Sequence, residues 1–312
     1  MATNLSPVDV VMVGLGAANG TAVLPLTKAG LKVAALEAGS WMQPGDFRAD
    51  EIHNNVRRKV TTGRKVWNEI PTFRTGPNET ARQMAAPTMM NAVGGTSIHW
   101  YANAWRFHPW DFKVRSETIK RYGANALPKG STVQDWPVSY DELESYYDLI
   151  EYEFGVAGKA GNLQGKIDQG GNVFEGPRKR DYPMPPLRLT EFTEQMYGAA
   201  KSLGWHPFPG AALINSVPYG GRGACVFHGY CTRGGCHVSA KNGPHVTTIP
   251  KALETKRLTV VTRAHVTRIE IDEKTGRATG ATYIKDGVEY FQPADVVLLS
   301  SYTYENVRLL LM

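Results

Sequence analysis

The first forty residues contain the feature that most restricts how this chain can fold. An apolar run at residues 8–13 predicts a buried strand, the letters GLGAANG at 14–20 predict a turn, and residues 21–29 follow with a helical pattern. Gly30 ends that helix, and a second strand at 32–37 ends on a glutamate. This order of strand, glycine turn, helix and acid-ended strand is typical of the dinucleotide-binding βαβ unit.

The glycine turn and the acid supply the first candidate cofactor contacts. Gly14 permits the tight turn, and Gly16 lets the backbone approach a pyrophosphate at the positive end of the helix. Glu37 lies where a carboxylate accepts hydrogen bonds from ribose hydroxyls. The third glycine of the fingerprint is replaced by Asn19, and Gly20 follows it. We therefore predict a helix set slightly further from the strand, or a turn shifted by one residue.

A glycine-rich loop at residues 90–106 is the second unusual segment. It reads MNAVGGTSIHWYANAWR, which neither alternates like a strand nor repeats like a helix. The loop places two glycines, two hydroxyl side chains, a histidine and several aromatic rings in quick succession. That combination of backbone freedom and hydrogen-bonding groups is more typical of a ligand-binding loop than of a connection between core elements.

The remaining sequence suggests an insertion between two parts of one domain. Ser139 and Glu142 form the capping box of a clear helix, and residues 157–190 are rich in glycine and proline. We place domain boundaries so that residues 1–110 begin a cofactor domain, 111–215 form an inserted substrate domain, and 216–312 return to the first.

From Leu258 onward the pattern is that of β-structure. Residues 258–272 read as one long strand, and Asp286-Gly287 marks a hairpin between strands 278–284 and 288–292. The apolar run at 294–301 is suited to a separate, buried parallel strand.

Composition excludes several classes of protein. The net charge of +6 is scattered, and its densest run, at residues 57–65, has few aromatic residues among the charges. We interpret that run as a solvated face, with an acidic partner protein or an anionic substrate as the alternative, and expect no nucleic-acid partner. Residues 10–27 are uncharged but contain three glycines and a proline, so we expect no transmembrane segment. We also see no signal peptide at the N-terminus.

Several motifs taken together resemble the glucose–methanol–choline (GMC) flavoprotein oxidoreductases, including the FAD-containing large subunits of bacterial gluconate 2-dehydrogenases and related sugar dehydrogenases. The resemblance rests on VGLGAANG, NAVGGTSIHWYANAWR, DWPVSYDELESYYD and ADVVLLSSYTYENVRLLL, which occur in the family's order along most of the chain. It implies an α/β fold, with a Rossmann-like FAD-binding domain and an inserted α+β substrate domain that is incomplete in this chain.

The resemblance also implies roles for individual residues. Val266 matches a strand position whose backbone pairs with the adenine in the family, and a plain strand valine is the alternative. Residues 302–305 fall where the family returns to the FAD pyrophosphate. His99 matches a histidine that some relatives join covalently to the flavin, and an ordinary hydrogen-bonded loop histidine is the alternative. The family loop that wraps the isoalloxazine ring corresponds to Gly94, Gly95, Thr96, Ser97, His99 and Trp100.

Three cysteines lie within twelve residues, at Cys225, Cys231 and Cys236, and His228 stands between the first two. An odd number of thiols so closely spaced does not suit a disulfide framework. Some GMC relatives bind an iron–sulfur cluster through three cysteines in this loop, which makes a cluster our preferred interpretation. Tetrahedral zinc and unliganded thiols remain the alternatives.

The resemblance predicts an FAD-dependent enzyme that oxidises an alcohol group of a sugar or sugar acid by hydride transfer to flavin N5. Electrons would pass to a partner subunit or cytochrome c, and a small export subunit would carry the enzyme from the cytoplasm to a periplasmic, membrane-associated position. A soluble pyranose-oxidase-like enzyme that uses oxygen and a non-catalytic FAD-binding fragment are the alternatives. An NAD-dependent dehydrogenase is less favoured, because it leaves the glycine–histidine–tryptophan loop unexplained.

The catalytic histidine of the family lies near its C-terminus, so we expect it beyond Met312 in a longer protein. The residues His206, His237, His245 and His265 are interpreted as ordinary polar or strand positions. We therefore expect the 312-residue chain to be truncated or split, to bind FAD weakly and to turn over little substrate.

Overall fold

The computed structural model describes residues 2–52, 72–83, 90–228, 231 and 234–312. The basic run at 57–65, interpreted above as a solvated face, lies outside the described residues. The chain divides into two compact units, one formed by residues 1–101 with 226–312 and the other by 102–225. The assignment of the first unit to cofactor binding and of the second to substrate stays a prediction.

The longer strands lie towards both ends of the chain, whereas helices predominate in its middle. In chain order the longer elements are β1 (Val8–Val13), α1 (Ala17–Lys28), β2 (Val33–Glu37), α2 (Val114–Tyr122), α3 (Tyr140–Phe154), α4 (Glu191–Ser202), α5 (Thr248–Glu254), β3 (Leu258–Thr262), β4 (His265–Ile271), β5 (Ala278–Lys285), β6 (Val288–Leu299) and α6 (Thr303–Leu310). Short two-residue strands lie at Thr3–Asn4, Thr72–Phe73, Arg82–Gln83, Asn162–Leu163 and Lys166–Ile167. Short 3₁₀ helices lie at Pro44–Asp46, Gly95–Ile98, Pro109–Lys113 and Ala124–Ala126.

The first unit is built on a mixed sheet with the strand order β3-β2-β1-β6-β5-β4. Strands β3, β2, β1 and the second half of β6 run parallel, whereas β5 pairs antiparallel with both β6 and β4. The predicted βαβ unit is confirmed, although α1 begins at Ala17, one turn earlier than the pattern indicated. Parallel strands that share one carboxyl edge provide the usual setting for a nucleotide.

The core explains why the first strand reads as an uninterrupted apolar run. Val10 and Met12 pack on one side of the sheet with residues of α1 and α5, while Val11 and Val13 pack on the other with residues of β4, β5 and α6. Successive side chains of a strand point to opposite faces, so a strand covered on both sides needs apolar residues at every position.

The prediction of one long strand at 258–272 is wrong, because the chain breaks between β3 and β4. Arg263 adopts a left-handed backbone conformation with φ of 54°. Its N–H donates to the carbonyl of Gly39 over 3.0 Å, and the N–H of Ala264 donates to the carbonyl of Glu37 over 2.9 Å. These bonds hold the break beside the end of β2, so β4 leaves in a new direction and pairs with β5.

The prediction of separate strands at 288–292 and 294–301 is also wrong, since β6 runs unbroken through Pro293. Its first half pairs antiparallel with β5 through the predicted hairpin, whose Asp286 and Gly287 have φ of 50° and 79°. Its second half pairs parallel with β1, as predicted, but it is not buried throughout, because Val296 is 48% exposed. Proline is tolerated here because the strand changes partners at that residue.

The second unit contains α2, α3, α4 and a short hairpin. The predicted capping box of α3 is confirmed, with the N–H of Ser139 donating to Glu142 over 2.7 Å and the N–H of Glu142 donating back to the serine oxygen over 3.3 Å. On its buried side, α3 presents Glu151 to two buried arginines. Arg106 donates to both carboxylate oxygens over 2.9 and 2.8 Å, and Arg178 donates to the same group.

Candidate functional site

A cavity of about 520 Å³ opens in the first unit at the carboxyl ends of β1, β2 and β6. Its lining residues come from five segments of the chain, 13–18, 36–38, 90–97, 264–266 and 300–309. A cavity of this size is typical of a small-molecule or cofactor site. Its position agrees with the rule that ligands of open α/β sheets bind beyond the carboxyl ends of the parallel strands.

Seven of the predicted site residues line this cavity: Gly14, Gly16, Glu37, Gly95, Thr96, Ser97 and Val266. Five others are not among the described residues of its wall: Asn19, Gly20, Gly94, His99 and Trp100. The two sequence motifs singled out above therefore meet on one cavity, although part of each motif serves to hold the wall in place.

The glycine turn leaves an open space at its second glycine. Gly14 has φ of 81°, and a Cβ there would lie 2.6 Å from the carbonyl oxygen of Ser300, so only glycine suits this position. Gly16 has φ of −80°, which any residue adopts, and a Cβ there would meet no atom within 4 Å. The space beside Gly16 at the start of α1 is therefore available to a ligand.

Asn19 and Gly20 fasten the turn to its surroundings. The Asn19 side-chain amide donates to the carbonyls of Gly14 over 2.8 Å, Leu298 over 3.2 Å and Val13 over 3.3 Å. A Cβ on Gly20 would lie 2.5 Å from Cβ of Pro244, so this glycine allows a close approach beside α5. Gly20 therefore packs against the segment that leads into α5, and the predicted alternatives of a more distant helix or a shifted turn stay predictions.

We expect Asn19→Ala to lower the free energy of unfolding by about 1–3 kcal/mol, because buried carbonyls lose their donor. Asn19→Asp should cost more near neutral pH, since a carboxylate would face carbonyl oxygens and accept no bond from them. Burial would raise the pKa of this aspartate in the folded state, so the added cost should shrink as the pH falls. Chemical denaturation of both variants at two pH values measures these differences, and equal stability of all three proteins would contradict the assigned bonds.

Glu37 is buried at the end of β2 and accepts two backbone hydrogen bonds. Its Oε2 accepts the N–H of Leu15 over 2.9 Å, and its Oε1 accepts the N–H of Gly39 over 2.8 Å. Burial raises the pKa of the Glu37 carboxyl above its ordinary value, and the donors Gly39 and Leu15 offset part of that rise. Each carboxylate oxygen retains a lone pair for a further donor from the cavity.

The glycine-rich loop is attached directly to the glycine turn. The N–H of Gly94 donates to the carbonyl of Leu15 over 2.8 Å, and the N–H of Val93 donates to the carbonyl of Ser40 over 3.1 Å. A Cβ on Gly95, whose φ is 54°, would lie 3.1 Å from Cα of Gly16. The two backbones therefore approach each other as closely as glycine allows, and they form adjacent parts of the cavity wall.

The polar groups of this loop divide between the cavity and the loop itself. Thr96 is exposed on the cavity wall. Ser97 also lines the cavity, but its hydroxyl donates to the carbonyl of Gly94. His99 is 5% exposed and ends the short 3₁₀ helix, and the indole N–H of Trp100 is buried without a hydrogen-bond partner in the part of the chain that the structure describes.

The break between β3 and β4 brings a residue to the cavity that the sequence did not indicate. Ala264, His265 and Val266 all line the wall, although His265 was interpreted as an ordinary strand residue. The carbonyl of Val266 accepts a hydrogen bond from the Arg308 guanidinium over 3.0 Å. The left-handed backbone at Arg263 separates β3 from β4, and a strand pattern carries no signal of that break.

The segment that joins β6 to α6 completes the wall. Ser300 and Ser301 line the cavity beside Tyr302, the first residue of the segment 302–305 that the resemblance placed near a pyrophosphate. The N–H and hydroxyl of Ser301 both donate to Oδ1 of Asn306, over 2.8 and 2.9 Å. These two serines were not identified from the sequence.

The cysteine segment does not form a recognisable metal centre. Across residues 2–52, 72–83, 90–228, 231 and 234–312, no three His, Cys, Asp or Glu side chains are grouped so that they could hold a metal ion. Cys231 lies 3.7 Å from Nε2 of His228, and the sulfur of Cys236 accepts the N–H of Ala240 over 3.2 Å. The three cysteines form no disulfide. The described geometry therefore does not fit the iron–sulfur cluster preferred above.

Comparison with known proteins finds a family model and several relatives of this chain. Residues 190–312 match the family model described as GMC oxidoreductase. A gluconate 2-dehydrogenase flavoprotein from Pantoea cypripedii is 35% identical over 329 aligned residues, which take in 100% of this chain and 53% of that protein. The chain carries a GMC oxidoreductase N-terminal domain.

Other relatives extend the comparison. A 2-methyl-1,2-propanediol dehydrogenase from Mycolicibacterium austroafricanum is 32% identical, over 100% of this chain and 52% of that protein. A fructose dehydrogenase large subunit from Gluconobacter japonicus is 26% identical, over 97% and 54%. A solved formate oxidase variant from Aspergillus oryzae RIB40 shares the fold, with a TM-score of 0.58 and 19% identity over 99% of this chain and 48% of that one.

The chain spans about half the length of the curated relatives it matches. The predicted α/β fold class is confirmed by the mixed sheet and by these relatives. Among the described residues, no helix is both long and apolar enough to cross a membrane.

Proposed function

We propose that this chain binds FAD in the cavity of the first unit. The observation that carries the proposal is that the glycine turn and the glycine-rich loop meet there, with Gly95 against Gly16. The open space at Gly16 and the N-terminus of α1 suit the diphosphate, and the two oxygens of Glu37 suit the ribose hydroxyls. The backbone around Gly95 and the side chain of Thr96 would approach the isoalloxazine ring.

We further propose that the intact protein oxidises an alcohol group of a sugar or sugar acid. Bound FAD would supply the hydride acceptor for that reaction, while the residues described above bind and orient it. The names of the gluconate and fructose dehydrogenases support a sugar or sugar acid, whereas the name of the propanediol dehydrogenase supports a small diol as the main competing substrate. We assign no catalytic base among the described residues.

We propose that FAD is held without a covalent bond to the protein. His99 is buried beside the short 3₁₀ helix and is not among the described residues that line the cavity, which supports a non-covalent flavin. Acid precipitation of the FAD-loaded chain should therefore leave a yellow supernatant. A yellow pellet that keeps its colour after washing would support the covalent alternative.

A partner subunit and a periplasmic, membrane-associated position are proposed for the intact protein. The words "large subunit" in the name of the fructose dehydrogenase support a multisubunit enzyme. A cytochrome c acceptor and a small export subunit are the partners we propose. Co-expression with candidate small subunits, followed by purification through a tag on the small partner, would test this assembly.

The binding proposal is tested by titrating the apo chain with FAD and following flavin fluorescence. We expect saturable binding at one site, without displacement by NAD. Absence of saturable FAD binding, or preferential binding of NAD, would overturn the proposal. A dye-linked assay of the intact, FAD-loaded protein with gluconate, fructose and 2-methyl-1,2-propanediol then tests the substrate class, and preference for the diol would contradict it.

FAD affinity should depend on pH through Glu37. In the folded apo protein the pKa of the Glu37 carboxyl is raised. The stability that protonated Glu37 contributes is therefore lost as the pH rises through that pKa. Ribose hydroxyls donate to the carboxylate form, so FAD should lower the pKa and release a proton on binding. We expect affinity to fall as the pH is lowered from about 8 to about 5.

The matched control for this pH dependence is Glu37→Gln, whose side chain has no charge to titrate in that range. We expect this variant to bind FAD more weakly than the wild type at pH 8 and to show a flatter profile. Calorimetric titration in buffers of different ionisation enthalpy measures the proton release directly. The same pH profile in both proteins would exclude Glu37 as its source.

A further inference from the structure

Tyr302 has a backbone conformation that tyrosine rarely adopts. Its φ of 81° and ψ of 153° fall in a region occupied almost entirely by glycine. Side chains in such regions strain the backbone, and the strain persists only where the surrounding structure fixes it. An observed outlier of this kind calls for a reason why the residue is not glycine.

The backbone around Tyr302 is fixed from both sides. The N–H of Ser300 donates to the carbonyl of Val13 over 2.9 Å, and the N–H of Ser301 donates to Asn306 over 2.8 Å. The carbonyl of Tyr302 accepts the N–H of Asn306 over 2.8 Å, which starts α6. Only the last of these bonds uses an atom of residue 302, its main-chain carbonyl, so glycine at 302 would keep all three bonds and relieve the strain.

Packing of the aromatic ring does not account for the tyrosine. Tyr302 is 43% exposed, and its ring meets the edge of Tyr304 at a centroid distance of 5.4 Å. Tyr304 is itself 59% exposed, so the pair buries little apolar surface. The free energy gained from that contact is small compared with a side chain that enters the core.

The position of Tyr302 on the cavity does offer a reason. Tyr302 lines the cavity, and the residue before it lies against the glycine turn, because a Cβ on Gly14 would be 2.9 Å from Cα of Ser301. Tyr302 therefore belongs to the part of the wall that adjoins the glycine turn, where we propose the diphosphate. A phenol offers one hydroxyl donor and a flat apolar ring that can exclude water.

We propose that Tyr302 is a cofactor-positioning residue whose hydroxyl donates to the FAD diphosphate and whose ring covers that part of the cavity. This inference rests on the proposed function, since it requires FAD in the cavity. The backbone strain at Tyr302 is retained because the side chain slows the release of the cofactor. The residue lowers the stability of the apo domain and improves retention of its ligand.

The central test is Tyr302→Gly, measured in both the apo and the FAD-loaded chain. We expect the unfolding temperature of the apo protein to rise, because glycine removes the strain. We expect the dissociation rate of FAD to increase about 10- to 100-fold, measured by transferring the flavin to an excess of a flavin-binding scavenger protein. Opposite effects on stability and retention are not expected from a residue with only a structural role.

Two further variants separate the parts of the proposal. Tyr302→Phe keeps the ring and the strain, so it should leave apo stability unchanged and increase FAD dissociation by less than Tyr302→Gly does. Lys256→Gly relieves a left-handed conformation, with φ of 57°, at an exposed residue that is not among those lining the cavity. This control should stabilise the apo chain without changing FAD dissociation.

The outcomes distinguish this proposal from the proposed function. Failure of the wild-type chain to bind FAD would overturn both. Normal wild-type binding with unchanged FAD dissociation in Tyr302→Gly would overturn only the role of Tyr302. Faster dissociation without any gain in apo stability would contradict the claim that strain is maintained for cofactor retention.

Discussion

Gly16→Ala should leave the apo fold intact and weaken FAD binding about 100-fold or more, which corresponds to about 2.7 kcal/mol or more. In the apo domain a Cβ at this position meets no atom within 4 Å, and φ of −80° is open to alanine. Alanine is a poorer helix N-cap than glycine, so a loss of stability below about 1 kcal/mol is expected. With FAD present, the methyl group would occupy the space needed for close approach of the diphosphate.

The matched control for this variant is Gly45→Ala, which adds the same methyl group at an exposed glycine that also has no neighbour within 4 Å. It should change neither the free energy of unfolding nor the affinity for FAD. The comparison requires denaturation of the apo proteins and fluorescence titration with FAD. Equal FAD affinities for Gly16→Ala and Gly45→Ala would show that the cofactor does not approach the glycine turn.

Gly39→Ala should have the largest effect on stability, lowering the free energy of unfolding by more than about 4 kcal/mol. A Cβ on Gly39 would lie 1.9 Å from the carbonyl oxygen of Asn91 and 2.3 Å from the nitrogen of Ala92. Both atoms belong to the backbone of the glycine-rich loop, so no side-chain rotation relieves the overlap. The loop must leave the end of β2, and the cavity wall is lost with it.

A second substitution can show whether this clash is with the backbone. Asn91→Gly removes a side chain but leaves the carbonyl in place, so the double variant Gly39→Ala with Asn91→Gly should remain as unstable as Gly39→Ala alone. Circular dichroism during denaturation and FAD titration provide the two measurements. Wild-type stability of Gly39→Ala would contradict the contact between the loop and β2.

Features that depend on neighbouring residues in sequence could be predicted without a structure. The apolar run at 8–13 identified β1 because a strand buried on both faces needs no alternation, and Ser139 with Glu142 identified the start of α3. Asp286 and Gly287 identified the hairpin because both positions of such a turn favour residues that tolerate positive φ. In each case the physical cause lies within a few residues of the signal.

Features that depend on distant contacts could not be predicted in this way. The break at Arg263 is held by carbonyls of Gly39 and Glu37, which lie more than two hundred residues earlier in the chain. The continuity of β6 through Pro293 depends on a change of partner strand that local propensity does not encode. His265 was missed for the same reason, because its place on the cavity follows from the break.

Within the site, the sequence identified the two motifs. It did not identify which of their residues line the cavity and which hold its wall in place. Gly16 and Thr96 line the cavity as expected, whereas Asn19 fastens the turn to the strand ends through its amide. A fingerprint gives the spacing of such residues, but the direction of a side chain depends on the acceptors that surround it. His99 illustrates the same limit, since its place in the loop did not reveal that the residue is buried.

Hydrogen exchange with and without FAD tests most directly whether the two glycine segments enclose one cofactor. We predict that peptides covering residues 14–20 and 90–98 both gain protection when FAD is added, because the glycine turn and the glycine-rich loop form adjacent walls of its cavity. Peptides of the second unit at the Glu151 network serve as the internal reference and should not change. Protection of only one of the two segments, or of neither while FAD is bound, would contradict a shared cofactor site.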